Sequence, residues 1–286
     1  MSVNGETGLW QDFKSGECGN FIHLISHTQK ITYKDAEVYV RRQLFDDIGS
    51  LFDSSTVDTR PVLGDNKIET ELQNFRPLNE ESGWANPLLH RLALKFVKDR
   101  YLNPSSFLLA TEGKFKDRLI IPYERDGIFY FQARLLSSFG VKYLNPGRAS
   151  HGVEASKVLY PFDEFENYVL LCEGPLDAMS LQAAGINATC TQGSRLSHAQ
   201  LDLVKDKKLI FAYDNDDAGQ EGVEGAFTLC RTKNKSEFYV VRPPHHYKDW
   251  NDFWVAIKGD KKLMVSHVAS QRRAYDFDFI VSERLA

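Results

Sequence analysis

From residue 166 onward, short apolar runs alternate with segments of helical periodicity. YVLLC at 168–172, NATC at 187–190, KLIFAY at 208–213 and EFYVV at 237–241 are nearly continuous apolar runs, the pattern of strands buried on both faces of a parallel sheet. Between them lie PLDAMSLQAA, stopped by Gly185, then SHAQLDLVK, NDDAGQEGVEGAFTLCRT and DWNDFWVAI, each reading as a helix. Ser197 and Gln200 are spaced as a capping box at the start of the second. The repeated strand–helix step predicts a mostly parallel, three-layer α/β unit over about 166–260.

The chain upstream is patterned differently. RLIIPY at 118–123 and IFYFQARLL at 128–136 flank ERDG, whose Asp126-Gly127 pair predicts a hairpin. A helix is predicted over 86–100, with Asn86 as cap and Pro87 at its first position. Residues 49–85 are polar and irregular, with Gly49, Pro61, Gly64 and Pro77, and read as a linker. Before it, 35–47 has apolar residues at helical spacing, while 1–30 reads as a small attachment in which GLWQDF is a strand and FIHLIS begins a short helix. Residues 261–286 read as a closing helix and strand rather than a docking element.

Composition narrows the class. At 286 residues, with 42% hydrophobic, 12% aromatic and 26% charged residues, the chain is globular. Its longest apolar runs fall far short of the ~20 residues of a membrane helix, and MSVNGETGLWQDF has no basic-then-apolar export pattern. No membrane partner and a cytoplasmic location are expected. The four cysteines, Cys18, Cys172, Cys190 and Cys230, contain no CxxC, so neither a disulfide framework nor a cysteine-only zinc site is indicated. The net charge of −4 argues against a nucleic-acid partner until its distribution is considered: residues 91–160 hold twelve basic and six acidic side chains.

The acids gather where a parallel sheet places ligands, at the carboxyl ends of strands. Glu173 follows YVLLC, Asp214 follows KLIFAY with Asp216 and Asp217 in the same loop, and Lys248-Asp249 with Asn251-Asp252 follows the fourth strand. Converging carboxylates repel one another unless cations intervene, and hard oxygen donors suit Mg²⁺ or Mn²⁺. DNDD alone would equally well be a helix cap. A strand-end Glu-Gly with Asp177 four residues on, followed about 40 residues later by a strand-end DxD, is far more specific.

Glu173-Gly174-Pro175-Leu176-Asp177, Asp214-Asn215-Asp216-Asp217-Ala218-Gly219 and Lys248-Asp249 together resemble the Toprim fold shared by bacterial-type primases, topoisomerases and some nucleases. The primase branch fits best: DRLIIPYERDGIFYFQARLL, KYLNPGR and SKVLY resemble the basic amino-terminal subdomain of the primase polymerase module, and ATCTQGSRLSHAQLDLV the stretch after its Glu motif. The resemblance covers about 86–260, and the short tailed-phage primases look nearest.

The resemblance implies a Toprim-type parallel sheet (166–260), a basic α+β subdomain (86–165) and a degenerate zinc-ribbon-like segment with a helix (1–48). It implies a DNA primase that makes short RNA primers on single-stranded DNA from ribonucleoside triphosphates with Mg²⁺ or Mn²⁺, partnered by a replicative helicase because the chain has no P-loop. A Toprim nuclease, or a primase-derived single-strand-binding protein, is the alternative. By position, Glu173, Asp214 and Asp216 would be catalytic and metal-binding, with Asp249 and Asp252 supporting the metals; Asp177 is equally well structural. Arg118, Arg134, Lys142, Lys157 and Lys248 would hold triphosphate or template phosphates, with Phe129, Tyr130, Phe131 and a partly exposed Tyr143 among them. The two cysteines expected in the ribbon are Asp12 and Ser15, and Asp12, Cys18, His23 and His27 form no compact quartet, so no zinc is expected. His245 and His246 read as loop residues.

Overall fold

The computed structural model describes residues 2–3, 10–11, 18–19, 21–33, 35–36, 68–125, 127–137, 140–233 and 238–275. The chain divides into two units, Met1–Pro61 and Val62–Ala286. In the first, β1 (Ser2–Val3), β2 (Trp10–Gln11) and β3 (Cys18–Gly19) form an antiparallel sheet in that order, followed by α1 (Phe21–Gln29). The strand expected in GLWQDF and the helix begun by FIHLIS both occur. Asp12 and Ser15 lie outside the described residues, as does the helix expected over 35–47 beyond Ala36.

The second unit opens with α2 (Ile68–Leu72) and β4 (Phe75–Pro77), which corrects the linker reading over 68–85. Ile68 and Leu78 are fully buried, and Phe75 meets Phe131 edge-on at 5.0 Å. The segment is too short for periodicity to show, and Pro77 is accommodated because β4 is an edge strand, where a missing N–H breaks no ladder. Residues 49–67 are outside the described set. α3 (Pro87–Lys98) starts as expected: the Asn86 side chain accepts the Leu89 N–H at 3.1 Å, with Pro87 next. β5 (Leu108–Ala110), β6 (Arg118–Glu124), β7 (Ile128–Leu135) and β8 (Tyr143–Leu144) complete an antiparallel sheet in the order β4-β5-β6-β7-β8, and α4 (Arg148–His151) follows. The predicted hairpin is β6–β7, although Asp126 itself is not described.

The predicted α/β unit follows: β9 (Tyr168–Cys172), α5 (Pro175–Ala183), β10 (Ala188–Cys190), α6 (His198–Leu203), β11 (Lys208–Phe211), α7 (Asp217–Thr232), β12 (Phe238–Val240) and α8 (Trp250–Ala256). α9 (Lys261–Gln271) and β13 (Arg273–Ala274) then close it, as expected of the segment up to 275. The sheet order is β10-β9-β11-β12-β13, parallel except for β13. Strand alternation makes the three layers: Leu170 and Cys172 pack with Leu176 and Leu181 of α5, whereas Val169 and Leu171 pack with Leu201 of α6 and Val223 of α7. The chain leaves β9 for β10 on one side and returns to β11 on the other. The β9/β11 boundary is therefore the switch point, where a crevice opens at the strand ends.

The two sheets are not separate domains. One hydrophobic core runs from Ile68 through Phe131 to Cys190 and Trp254. Tyr123 of β6 lies edge-on to Tyr160 at 5.0 Å and its hydroxyl reaches Cys190 Sγ at 3.5 Å. Cys172, Cys190 and Cys230 are all buried, and no described helix is long and apolar enough to cross a membrane.

Candidate active site

Glu173 leaves the end of β9 and Asp214 follows β11, so adjacent parallel strands deliver them to one mouth. The Asp214 backbone N–H donates to Glu173 Oε1 at 3.2 Å, tying the two strand ends. Asp214 Oδ1 is buried and accepts no hydrogen bond. Burial, then the charges of Glu173, Asp249 and Asp216, push its pKa from 3.8 to about 7. Glu173 is also raised, by burial first and Asp216 after it. A desolvated carboxylate with an orphan oxygen among other acids is a place that a cation would satisfy.

Asp216 caps α7 through the Gly219 N–H at 3.0 Å, which holds its pKa below the usual range. Its other oxygen lies 3.4 Å from Lys248 Nζ. Gly219 has to be glycine: a Cβ there would run into the Asp214 carbonyl and come within 3.0 Å of Glu173 Oε1. Asp249 caps α8, accepting the Asp252 N–H at 2.7 Å, and burial raises its pKa. Asp252 is exposed at the rim.

Asp177 has a structural employment. It is 8% exposed, its Oδ1 accepts the Asn251 N–H at 3.0 Å, and burial with Asp249 and Asp214 nearby pushes its pKa well up. Asn251 in turn donates to Ser180 Oγ at 2.9 Å, so α5 and α8 are fastened together beneath the mouth.

Asn215 escapes sequence reasoning, because its type says only "loop". Its backbone N–H donates to Lys248 O at 2.8 Å, and its Nδ2 lies within 2.8–3.2 Å of the carbonyls of Pro243, Pro244 and Tyr247. The middle residue of the DxD thus fixes the loop that carries Lys248 and Asp249. His245 and His246 sit exposed in that loop, their Nδ1 atoms 3.3 Å apart.

Across the mouth is a basic cluster. Arg134 of β7 donates to the Tyr143 hydroxyl and lies 5.1 Å from that ring and 4.9 Å from Phe96. Arg100 lies 3.6 Å from the same Phe96 ring centre. Burial, then Arg134, lowers the Arg100 pKa, while Asp252 and Asp249 oppose that shift. Lys142 stands 5.7 Å from the Tyr143 ring, and its charge also lowers the Asp249 pKa. Tyr143 is half-buried, as expected, whereas Tyr130 and Phe131 are core. Arg100 went unselected in the sequence because nothing in VKDRYL distinguishes it from a solvated arginine.

Two expected phosphate binders are placed differently. Arg118 donates to the carbonyls of Val141 at 2.9 Å and Ala133 at 3.3 Å, bracing the β7–β8 connection. Lys157 pairs with Glu154 at 3.2 Å on the surface.

Among the described residues no three His, Cys, Asp or Glu side chains form a ready-made metal cage. Mg²⁺ is commonly held by only one or two carboxylates, with water and substrate phosphates completing its shell. Glu173 and Asp214, with an orphan oxygen between strand ends, fit that kind of site.

Residues 170–254 match the Toprim-like family. Curated relatives include the DNA primase of Listeria monocytogenes, 29% identical over 187 residues, covering 60% of this chain and 29% of the relative. The DNA primase of Clostridium acetobutylicum is 23% identical over 273 residues, covering 81% of this chain and 46% of the relative. Among solved structures, the zinc-binding and RNA polymerase domains of the Aquifex aeolicus primase align over 95% of this chain and 75% of that one, with TM-score 0.53 and 20% identity. The parallel-sheet unit thus matches the Toprim-like family, and the chain is similar in sequence to bacterial DNA primases. It spans less than half the length of the two curated relatives described.

Proposed function

We propose that this chain is the polymerase of a DNA primase, making short RNA primers on single-stranded DNA by metal-dependent nucleotidyl transfer. The observation that carries the reading is the juxtaposition of the orphaned Asp214 carboxylate beside Glu173 with the Arg100–Arg134–Lys142 cluster, whose charges reach Asp249 and Asp252. Nucleotidyl transfer needs positioning and charge neutralisation more than reacting side chains. Glu173, Asp214 and Asp216 would hold Mg²⁺ or Mn²⁺, with Asp249 in support; such ions ease formation of the 3′-alkoxide and neutralise the departing pyrophosphate. Asp214 must release its proton to take part. Lys248 is placed to exchange Asp216 for a triphosphate oxygen, since the pair is largely exposed and held only at 3.4 Å. Arg134 and Arg100 offer planar donors to phosphate and Lys142 a point charge, with Tyr143 as a face for a base.

In this reading the chain works in the cytoplasm beside a separate replicative helicase and stands nearest the short tailed-phage primases. The test is incubation with single-stranded DNA, labelled ATP with the other ribonucleoside triphosphates, and Mg²⁺ or Mn²⁺. Labelled oligoribonucleotides support the reading; shortening of the DNA without synthesis would replace it with a Toprim nuclease.

A further inference from the structure

Three glutamines stand where the antiparallel sheet meets the parallel one. Gln132 of β7 is almost wholly buried, and its Nε2 donates to Gln192 Oε1 at 3.1 Å. Gln192 Nε2 reaches the Ala155 carbonyl at 3.5 Å. That carbonyl is shared with Gln200, whose Nε2 also donates to Val158 O at 2.9 Å and Thr191 O at 3.0 Å.

Gln192 sits in the loop after β10 with φ of 64°, in the left-handed region that disfavours any residue with a Cβ. Glycine would adopt this conformation freely. A glutamine held there has to be over-determined by its surroundings: its backbone N–H bonds Cys190 Sγ, and its side chain makes the two amide bonds just described. The next residue, Gly193, donates its N–H to the backbone carbonyl of Glu173 at 2.9 Å. On β7, residues two apart share a face, so Gln132 and Arg134 project from the same side. A connected path thus runs from the strand of Arg134, through Gln132 and Gln192, to the strand end that bears Glu173.

We propose that Gln192 is a positioning residue: its bond to Gln132 holds a strained loop that keeps Glu173 in register with Arg134. The proposal rests on the reading of those two residues as polymerase groups. It goes beyond that reading by assigning the seam between the sheets a part in the reaction.

The test uses Gln192→Gly, which removes both the amide and the strain, Gln192→Ala and Gln132→Ala, which each remove one partner, and the double alanine variant. Gln192→Gly is expected to keep or exceed the wild-type Tm while kcat for primer synthesis falls roughly tenfold, the size of effect that small misplacement produces. A purely structural role would move Tm and kcat down together. The double alanine variant is expected to lose no more activity than the worse single, because both mutations break one bond. Exchange of the Gly193 amide should speed up in every variant while β11 amides stay protected. Wild-type kcat in Gln192→Gly, or additive losses in the double variant, would overturn the proposal. A wild-type chain that makes no primer sinks the polymerase reading instead; the exchange measurement still decides the latch, since unchanged Gly193 protection in Gln132→Ala overturns it.

Discussion

Asp177 Oδ1 accepts the backbone N–H of Asn251 at 3.0 Å, so an acid one helical turn beyond Glu173 anchors the helix that Asp249 caps. Burial raises its pKa, with Asp249 and Asp214 adding to the shift. The folded state therefore binds its proton more tightly than the unfolded chain does, and the stability this contributes is lost as pH rises from the ordinary carboxylate range through the raised value. Asp177→Asn keeps the acceptor and discards the charge. In EDTA its Tm should exceed that of wild type by roughly 2–4 °C at pH 8, the shift of about 1 kcal/mol for a unit of this size, and by less at pH 5. Equal Tm at both pH values would show that Asp177 is not strained by ionisation.

Asp214 gives the same sign with a clearer window. Its pKa rises from 3.8 to about 7, so metal-free protein should lose stability between about pH 4 and pH 7 on its account. A divalent cation needs the ionised form, so Mn²⁺ affinity should rise from pH 6 to pH 8 and binding should release protons. Calorimetry in buffers of different ionisation enthalpy measures that release, and pH-independent affinity without proton release would contradict the assignment.

Arg134→Ala combined with Lys142→Ala should weaken single-strand binding and flatten its salt dependence, each lost phosphate contact removing roughly 0.7 from the slope of log K against log salt. Arg118→Ala should leave that slope near wild type and lower Tm, because its guanidinium braces backbone carbonyls. Titrations at four salt concentrations separate the two outcomes. A slope change in Arg118→Ala as large as in the double variant would return Arg118 to the template path.

The purified chain should carry no stoichiometric zinc, and chelators should leave its fold intact while stopping activity. A carboxylate at Asp12 and a hydroxyl at Ser15 do not replace thiolates, whose bonds to zinc would supply much of a ribbon's folding free energy. Elemental analysis giving about one zinc per chain would overturn this.

The parallel sheet was legible because buried strands such as YVLLC and KLIFA are nearly pure apolar runs punctuated by Gly185 and by the Ser197 capping box, all local signals. Glu173 and Asp214 were legible for the same reason, since each follows such a run directly. What escaped was set by tertiary contact. β4 is three residues long and becomes a strand because Phe75 finds Phe115 and Phe131. Arg100, in the turn just past α3, joins the site by crossing Phe96 beside Arg134, which is distant in sequence. Arg118, in a motif that suggested phosphate, is drawn off by carbonyls of β7 and the β7–β8 connection, and Asn215 matters for three carbonyls 28, 29 and 32 residues away. Apart from Phe96, four residues before Arg100, none of these partners has a fixed sequence spacing, so no periodicity announces them.

The Asp214 carboxylate is proposed to serve cations and not packing. The most direct test compares Asp214→Asn with wild type in one preparation, measuring Tm in EDTA and labelled primer yield at saturating Mg²⁺ and Mn²⁺. The expected result is a Tm equal to or above wild type, because a half-buried carboxylate repelled by Glu173 and Asp249 has been removed, together with a loss of primer yield of about 100-fold or more. Primer synthesis near the wild-type level in a folded Asp214→Asn protein would contradict it.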